Sequence, residues 1–498
     1  MTPSTGERFE ALEDRLSRLY NLEAASSLLQ WDQQVMMPSG GTPARSRQQA
    51  TLAGLEHQLA GAEAFGRELA SVRDRELTDE EAAIVREATR RHRRAEPVPQ
   101  SLIEQLRETT AKAHSVWEQA RAEDHWETFA PILTEIVALR REQAEAIDPD
   151  REPYEVLYEE YEPYLSLERT DAILTELREG LVPLLASIEE STDLAAELPG
   201  PFAPTEQAQF SRAVLDELGY DWEHGRLDTA THPFTSGNQF DARITTRYDE
   251  DSLLSGLMAT IHEFGHASYE LGLPKESYGN PLGQSRDLTV HESQSRFWEN
   301  HVGRSAAFWE SSLPLAKEHF PQLEGIDSHE AFEAANRVYP DNLIRVEADE
   351  LTYHLHIVIR YEIERALIGG DLEIEDVPTV WNDKYEAYLG IRPPTDREGC
   401  LQDVHWSSGY LGYFPTYSLG SVLAAQLTEA VEESLGPLDQ LVRAGEYDAI
   451  RSWMQERIYR HGQQYRTSTL IERATGAPLE AAPFLNYVTE KYEGLYAL

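Results

Sequence analysis

Apolar residues recur at helical spacing along almost the whole chain. Recurrence at intervals of three and four residues predicts amphipathic helices. The predicted helices span 7–30, 44–73, 79–95, 99–122, 126–147, 166–191, 204–218, 251–271, 286–304, 328–338, 341–366, 376–389, 416–434, 438–460 and 467–474. Only 239–248 alternates and carries β-branched residues clearly enough to predict a short strand, just before the helix over 251–271. The pattern therefore predicts a mainly α fold with one small β-sheet.

No domain boundary is visible in this pattern. A length of 498 residues favours two to four domains as a starting expectation. However, the chain has no internal repeat, no low-complexity tract and no linker rich in Gly, Ser or Pro. We therefore expect a single large helical domain over residues 1–498.

The helix predicted over 251–271 carries the sequence H-E-x-x-H, at Ile261-His262-Glu263-Phe264-Gly265-His266. Positions four apart share one face of a helix, so both imidazoles can point at one metal ion. Glu263 is turned away by one residue and can contact a metal-bound water without binding the metal. Chance produces this pattern in roughly one such chain in twenty, so a pair of structural histidines is the alternative.

A hydrolytic zinc site needs a third protein ligand and an open position. Glu292 begins a second predicted helical segment 26 residues after His266, beyond a loop containing Gly279, Pro281 and Gly283. That loop is long enough for the second helix to return antiparallel and present Glu292 to the histidines. The neighbouring His291 is a competing ligand, and a solvent-facing glutamate in a first helical turn is the alternative. Imidazole and carboxylate ligands suit Zn²⁺, although Co²⁺ or another divalent ion could substitute.

The charge balance excludes several classes of partner. The chain carries 88 acidic and 44 basic residues, a formal net charge of -44. Its only lysines are Lys112, Lys275, Lys317, Lys384 and Lys491. Such a field repels nucleic acid and anionic membranes. An acidic surface could attract cationic peptides, but the even spread of acid favours adaptation to molar salt, where self-repulsion is screened.

The lack of a recognisable targeting signal and the cysteine content predict a cytoplasmic protein. The amino-terminal residues are polar and acidic and do not resemble a secretory signal, and no apolar run is long enough to span a bilayer. Cys400 is the only cysteine, so no intramolecular disulfide can form, which fits a reducing compartment. We expect Cys400 to be a small packed residue.

Six short segments resemble, in order, the signature motifs of one family. They are His232–Phe234, Asp241–Thr245, Ile261–His266, His291–Gln294, Ile344–Asp349 and Gly399–Trp406. The stretches Trp31–Gly41 and Tyr154–Pro163 also match, so the resemblance covers essentially the whole chain. The family is the Taq-type (thermostable) metallocarboxypeptidases, which share the helical fold of angiotensin-converting-enzyme-like zinc peptidases.

The resemblance implies an enzyme that removes single residues from peptide carboxyl ends with broad side-chain tolerance. It also implies a homodimer and a deep active-site groove. Residues 1–150 would form amino-terminal helices that partly roof this groove, and residues 220–420 would form the catalytic core.

Metal-assisted hydrolysis assigns roles to several further residues. Glu263 would take a proton from water and pass it to the leaving amine. The negative charge that develops on the scissile carbonyl oxygen needs a second stabiliser beside the metal. His405 and a tyrosine of 410–417 are candidates, with Tyr410 and Tyr417 preferred; the alternative is that these aromatic residues only build core.

An exopeptidase must recognise a free carboxylate, which the planar fork of arginine fits well. Arg345 is the first candidate and Arg243 the second. The alternatives are structural ion pairs, Arg345 with Asp349 and Arg243 with Asp241. His232 either lines the substrate groove or stabilises the turn at Pro233.

Two other functions use the same motif. An endopeptidase or aminopeptidase could share the zinc chemistry, because H-E-x-x-H does not determine which bond is cut. An inactive metal-binding scaffold or peptide-binding protein would be favoured had Glu263 been replaced, and it is present.

Overall fold

The structure is a computed structural model that describes residues 5–73, 76–190 and 196–498. The described residues form twenty α-helices and one three-stranded sheet. The first helices are α1 Thr5–Val35, α2 Thr42–Ala60, α3 Glu63–Arg73, α4 Asp79–Ala95, α5 Gln100–Glu123, α6 Trp126–Ile147, α7 Pro153–Tyr158, α8 Leu167–Glu189, α9 Pro204–Leu218 and α10 Leu253–Gly272. The others are α11 Leu288–Arg296, α12 Ala306–His319, α13 Ser328–Ala335, α14 Tyr353–Gly369, α15 Val377–Leu389, α16 Pro415–Leu435, α17 Leu438–Arg443, α18 Tyr447–Arg457, α19 Thr467–Thr475 and α20 Ala482–Tyr496. The predicted mainly α fold is confirmed.

Three predicted helices are divided in the structure. The helix predicted over 44–73 breaks at Gly61, between α2 and α3. The helix predicted over 438–460 breaks at Gly445, whose φ of 68° only glycine adopts without strain. The third, over 286–304, continues beyond α11 as a π-helical segment, Phe297–Gly303. Helices α7, α12 and α20 were not predicted.

The prediction of a helix over 341–366 was wrong in its first part, because α14 begins only at Tyr353. Before it, Arg345–Glu347 form a single 3₁₀ turn. The carboxylate of Asp349 accepts hydrogen bonds from the backbone N–H groups of Leu351 and Thr352. A side chain that captures backbone donors in this way competes with helical hydrogen bonding. Arg345 therefore lies on a turn, from which it can reach residues distant in sequence.

The sheet has strand order β1–β3–β2, with β1 Gly225–Thr229, β2 Thr235–Asn238 and β3 Asp241–Thr246. Strand β3 lies within the predicted segment 239–248; it pairs parallel with β1 and antiparallel with β2. Its Ala242 and Ile244 are fully buried, and the chain continues from β3 into α10. The small sheet therefore lies directly beside the helix that carries H-E-x-x-H.

The apolar core has two main parts. The larger cluster joins residues of α5 to α20, whereas a separate, smaller one joins apolar residues of α1 to α4, including Leu12, Phe65 and Ile84. Helix α1 extends from the smaller cluster across the sheet, where the hydroxyls of Ser27 and Ser236 lie 2.8 Å apart. In the described part of the chain, no helix is long and apolar enough to cross a membrane.

Candidate metal centre and active site

Two helices bring the predicted ligands together. Helix α10 begins where Ser252 caps it by accepting the N–H of Ser255, and it buries Leu257 and Ile261. Helix α11 begins at Leu288 and is capped by Asp287, whose carboxylate accepts the N–H of Val290. These starting points place the H-E-x-x-H face of α10 opposite Glu292, in the second turn of α11.

Two glycines permit the close packing of α11. A Cβ atom at Gly265 of α10 would lie 2.4 Å from the carbonyl oxygen of Gln294, and one at Gly420 of α16 would lie 2.5 Å from Cβ of Glu292. Contacts this short do not occur, so any side chain at either position would push the helices apart. The glycines therefore hold Glu292 between α10 and α16.

The side chains of His262, His266 and Glu292 form the only His, Cys, Asp and Glu group with metal-ligand spacing among the described residues. Oε2 of Glu292 lies 3.3 Å from Nε2 of His266 and 3.6 Å from Nε2 of His262. Ligands about 2.1 Å from a tetrahedral ion lie about 3.4 Å apart, so this donor set fits a zinc-sized ion.

Both histidines are oriented through their second ring nitrogen. Nδ1 of His262 lies 2.9 Å from Oε2 of Glu299, and Nδ1 of His266 lies 2.6 Å from Nδ1 of His291. Nε2 of His291 lies in turn 2.8 Å from Glu270. One set of tautomers satisfies every contact: Glu299 and His291 accept from the two histidines, and His291 donates to Glu270. This arrangement leaves Nε2 of His262 and His266 unprotonated towards Glu292.

Two arginines form ion pairs with the acidic residues around the predicted ligands. Arg296 donates to Oε1 of Glu292 at 2.7 Å and, together with Arg304, to Glu299. Burial would raise the pKa of Glu292, but Arg296 and His262 outweigh it and hold that pKa well below its usual range. Burial lowers the pKa of His266 to about 3, so its imidazole is neutral, as metal binding requires.

Glu263 is buried beside the histidines. Its carboxylate oxygen Oε2 accepts a hydrogen bond of 2.6 Å from the hydroxyl of Thr235 on β2. Burial raises the pKa of Glu263 to about 7, against the opposing effects of His262 and Thr235. A carboxyl group with such a pKa exchanges protons readily near neutral pH.

Arg345 is 5% exposed and engaged by a different acid than expected. Its Nε and Nη2 donate to Oδ1 of Asp403 at 2.9 and 2.7 Å, not to Asp349. Nη1 donates to the hydroxyl of Tyr353 at 3.3 Å. Because Oδ2 of Asp403 also accepts from Arg360, two guanidinium groups share one carboxylate. The cluster therefore keeps a net positive charge.

The candidate oxyanion residues lie in two places, with His405 and Tyr417 beside Arg345 and Tyr410 nearer the surface. Nε2 of His405 lies 3.4 Å from the hydroxyl of Tyr417, whose ring lies 5.4 Å from the Arg345 guanidinium. Burial lowers the pKa of His405 to about 3. Tyr410 is 46% exposed, and its ring stacks on that of Tyr413 with the ring centroids 5.8 Å apart. Tyr413, which is within the predicted range 410–417 but was not preferred, lies between them, 5.3 Å from Tyr417.

Arg243 and His232 lie at the boundary with α1. Arg243 donates to Asp241 at 2.6 Å and stacks at 4.4 Å over the ring of Trp31, so it forms the ion pair that was the alternative to carboxylate binding. His232 lines a cavity of about 240 Å³ with Gln30 and Gln34 of α1. Cys400 is buried, as expected for a packed residue.

Sequence reasoning missed the residues that hold the site in place, chiefly Thr235, Glu299 and Asp403. One signal was available: Glu299 follows Glu292 by two helical turns, on the same face. No spacing connects Thr235 with Glu263, because β2 and α10 meet only in the folded chain.

Comparison with known proteins agrees with this geometry. A family model described as carboxypeptidase Taq (M32) metallopeptidase matches residues 11–492. Thermostable carboxypeptidase 1 of Thermus thermophilus is 41% identical and carboxypeptidase 1 of Bacillus subtilis 35% identical, over 100% and 97% of this chain and 100% and 98% of theirs. The crystal structure of the M32 carboxypeptidase from Deinococcus radiodurans superimposes with a TM-score of 0.95 at 35% identity, covering 99% of this chain and 100% of that one. The chain therefore belongs to the M32 carboxypeptidase family and is a metallocarboxypeptidase.

Proposed function

We propose that this metallocarboxypeptidase uses one Zn²⁺ ion, held by His262, His266 and Glu292. The observation that carries the proposal is the spacing of 3.3 and 3.6 Å between the Glu292 oxygen and the two Nε2 atoms. Two imidazoles and one carboxylate leave a fourth position open, as hydrolytic zinc sites require. Co²⁺ or another divalent ion could occupy the same ligands.

Glu263 is the proposed general base. A zinc ion held by His262, His266 and Glu292 would supply Lewis-acid chemistry, which would polarise the scissile carbonyl and acidify a bound water. The Thr235 hydroxyl holds Oε2 of Glu263 and leaves Oε1 free to take the proton of that water. Glu263 then passes the proton to the leaving amine.

Arg345 is the proposed binding group for the carboxylate at the peptide end. Asp403 accepts from Nε and one N–H of Nη2, and Tyr353 accepts from one N–H of Nη1, so one N–H of each Nη remains for a second carboxylate. Arg243 is the weaker candidate, because Asp241 and Trp31 already occupy it. His232 lines the small cavity between α1 and β2 and is proposed to contact the peptide there.

His405 and Tyr417 are the proposed stabilisers of the oxyanion. They lie in contact with each other and beside Arg345, whereas Tyr410 faces outwards. The neutral imidazole and the phenol can each donate one hydrogen bond to developing negative charge. Tyr413 is an additional candidate, because its ring contacts both His405 and Tyr417.

We further propose one domain over 1–498, in which residues 1–150 partly roof the groove and 220–420 form the catalytic core. The contact of α1 with β2 supports this arrangement, because β2 also carries Thr235. Broad side-chain tolerance, a homodimer and a cytoplasmic location complete the proposal.

The test is a time course of one peptide analysed by mass spectrometry, with its carboxyl-terminal amide as control. We expect successive loss of single residues from the free carboxyl end, inhibition by a metal chelator, restoration by Zn²⁺ and little action on the amide. Internal fragments, or equal rates on peptide and amide, would contradict the proposal.

A further inference from the structure

A cavity of about 490 Å³ lies away from the metal ligands, where helices α1, α2, α4 and α5 meet the loop before α11. Its lining includes four arginines, Arg90, Arg91, Arg94 and Arg107, and four glutamates, Glu23, Glu56, Glu87 and Glu160. The chain as a whole carries a formal charge of -44. Arginines are thus as numerous as glutamates around this cavity, whereas the chain as a whole has twice as many acidic as basic residues.

Arg91 is paired with Glu23 and Glu56 at 2.6 and 3.1 Å, but the other three arginines are incompletely compensated. Glu87 accepts from the buried Arg286 at 3.0 Å and from Arg86 at 2.9 Å, which leaves Arg90 at 3.5 Å. Nε of Arg90 is buried without a hydrogen-bond partner. Arg86 and Arg286 already occupy the Glu87 carboxylate, so Arg90 stays beyond hydrogen-bond distance from it.

The same competition occurs at Glu160. Arg140 donates to it at 2.9 Å, and Arg94 remains 3.9 Å away. Arg107 forms no ion pair with any carboxylate in the described ranges, although Glu56 lies close enough to affect it electrostatically. Burial lowers the pKa of both Arg94 and Arg107, which is the effect of positive charge held away from water with too little compensation. The guanidinium groups of Arg90, Arg94 and Arg107 are therefore incompletely compensated and available to an added anion.

A row of aromatic rings connects this cavity with the proposed active site. The Arg345 guanidinium lies 5.4 Å from the ring of Tyr417, which lies 5.3 Å from that of Tyr413. Tyr413 contacts Tyr161 at 5.1 Å, and Glu160, the next residue, lines the cavity. With Arg345 at the carboxyl end of the peptide, the cavity lies at the opposite end of the row. A peptide whose carboxylate lies at Arg345 could therefore extend its upstream residues in that direction.

We propose that this cavity binds an acidic side chain of the peptide substrate, upstream of the residue that is removed. Several guanidinium groups around one space suit a carboxylate, which accepts charge-assisted hydrogen bonds from more than one of them. The inference rests on the proposed carboxypeptidase function and adds a substrate preference to it. A free anion such as phosphate offers similar chemistry, and the experiment separates the two sources.

The test compares alanine-rich peptides with a single Glu, or a single Gln, at each position upstream of the released residue. At one position, kcat/KM is expected to be about tenfold higher for Glu than for Gln, the effect of about one charge-assisted contact. Arg107→Gln should reduce this ratio to about one. Arg107 is the best position to change, because its removal leaves no carboxylate without its partner.

Arg93→Gln is the matched control. Arg93 lies on the same helix α4 and carries the same charge, but it is exposed and does not line the cavity. The variant should keep the Glu preference of the unmodified enzyme. Inorganic phosphate should compete with the Glu peptide and leave the Gln peptide unaffected.

Three outcomes would overturn the inference: no Glu preference at any position, an equal preference in the Arg107→Gln and Arg93→Gln variants, or an equal effect of phosphate on both peptides. The Gln peptides also report on the proposed function independently. If they are shortened from the carboxyl end without a Glu preference, the carboxypeptidase holds and only the acidic subsite fails.

Discussion

At the residue scale, Glu263 is expected to take part in the reaction without binding the metal. Glu263→Gln should retain the metal, because the residue is outside the ligand group and the amide oxygen can still accept from Thr235. Turnover should fall by about a hundredfold or more, since an amide cannot take a proton from water. Elemental analysis and kinetics on the same preparation check both parts. Metal loss or near-normal activity would contradict the assignment.

The neighbours His291 and Glu292 have different expected effects. Glu292→Ala removes the oxygen that lies near both histidines, so metal content should fall sharply. His291→Ala removes only the partner of Nδ1 of His266. That variant should remain metal-loaded, with an affinity lowered by about 10- to 100-fold. Competition with a chelator measures both affinities, and loss of metal in the His291 variant alone would reverse the ligand assignment.

Arg345→Ala should lower kcat/KM on free-carboxylate peptides by about a hundredfold or more, because the substrate carboxylate would lose its charged partner. Arg345→Lys should recover only part of this loss, since a point charge does not reproduce the fork. The informative quantity is the ratio of rates on a peptide and its amide. Arg243→Ala is the comparison variant; a ratio that collapses there and survives in Arg345→Ala would exchange the two assignments.

The loss of Arg345 also removes one of the two arginine partners of Asp403. Metal content and thermal stability must therefore be measured together with the rates. Arg360 still holds Oδ2 of Asp403, which should keep the variant folded. A fall in both substrate rates by equal factors, with the ratio unchanged, would indicate a structural role only.

At the element scale, the loop from His405 to Tyr413 depends on one buried residue of α14. Glu364 accepts hydrogen bonds from Nε1 of Trp406 at 2.8 Å, the N–H of Gly412 at 3.0 Å and the hydroxyl of Tyr154 at 3.2 Å. Two of these donors belong to the loop itself. Glu364 therefore holds both halves of the loop that carries the proposed oxyanion residues.

Glu364→Gln should weaken this attachment, because all three partners are donors and the new amide N–H would face a donor. The free energy of unfolding should fall by about 1–3 kcal/mol, the cost of an unsatisfied buried group. We expect a lower kcat at unchanged metal content, measured with denaturant melts, kinetics and elemental analysis. Glu375→Gln, at an exposed glutamate, is the control. Unchanged stability and kcat would exclude this role.

Most helices could be predicted at this scale because their apolar spacing is regular. For α6 and α9 the predicted and observed bounds coincide. The errors occur where local chemistry competes with spacing: Asp349 captures the N–H groups of Leu351 and Thr352 and delays α14 to Tyr353. Periodicity does not record such side-chain competition.

At the scale of the whole molecule, the net charge predicts a dependence on salt. A charge of -44 repels itself more in the compact folded state than in the unfolded chain, and added salt screens this repulsion. Stability should therefore be low in dilute buffer and rise towards molar KCl. Thermal melts across this range measure the effect; a transition that stays high and unchanged would refute the halophilic interpretation.

The sequence by itself determined the helical fold and the metal motif, because both depend on residues close together in the chain. The spacing of His262 and His266 needs only one helix turn, and the family motifs extend the inference to Glu292 and Arg345. The choice between Glu292 and His291 remained open, because both residues follow the same loop and differ by only one position in their spacing from His266.

Only the tertiary structure decided how these residues are supported. Glu292 faces the histidines because Gly265 and Gly420 let α10 and α16 approach α11. Arg345 lies against Asp403, far along the chain, and not against Asp349. The arginine-lined cavity forms where several helices converge. Such contacts join residues distant in sequence, so no local pattern encodes them, and they become visible only when packing brings the elements together.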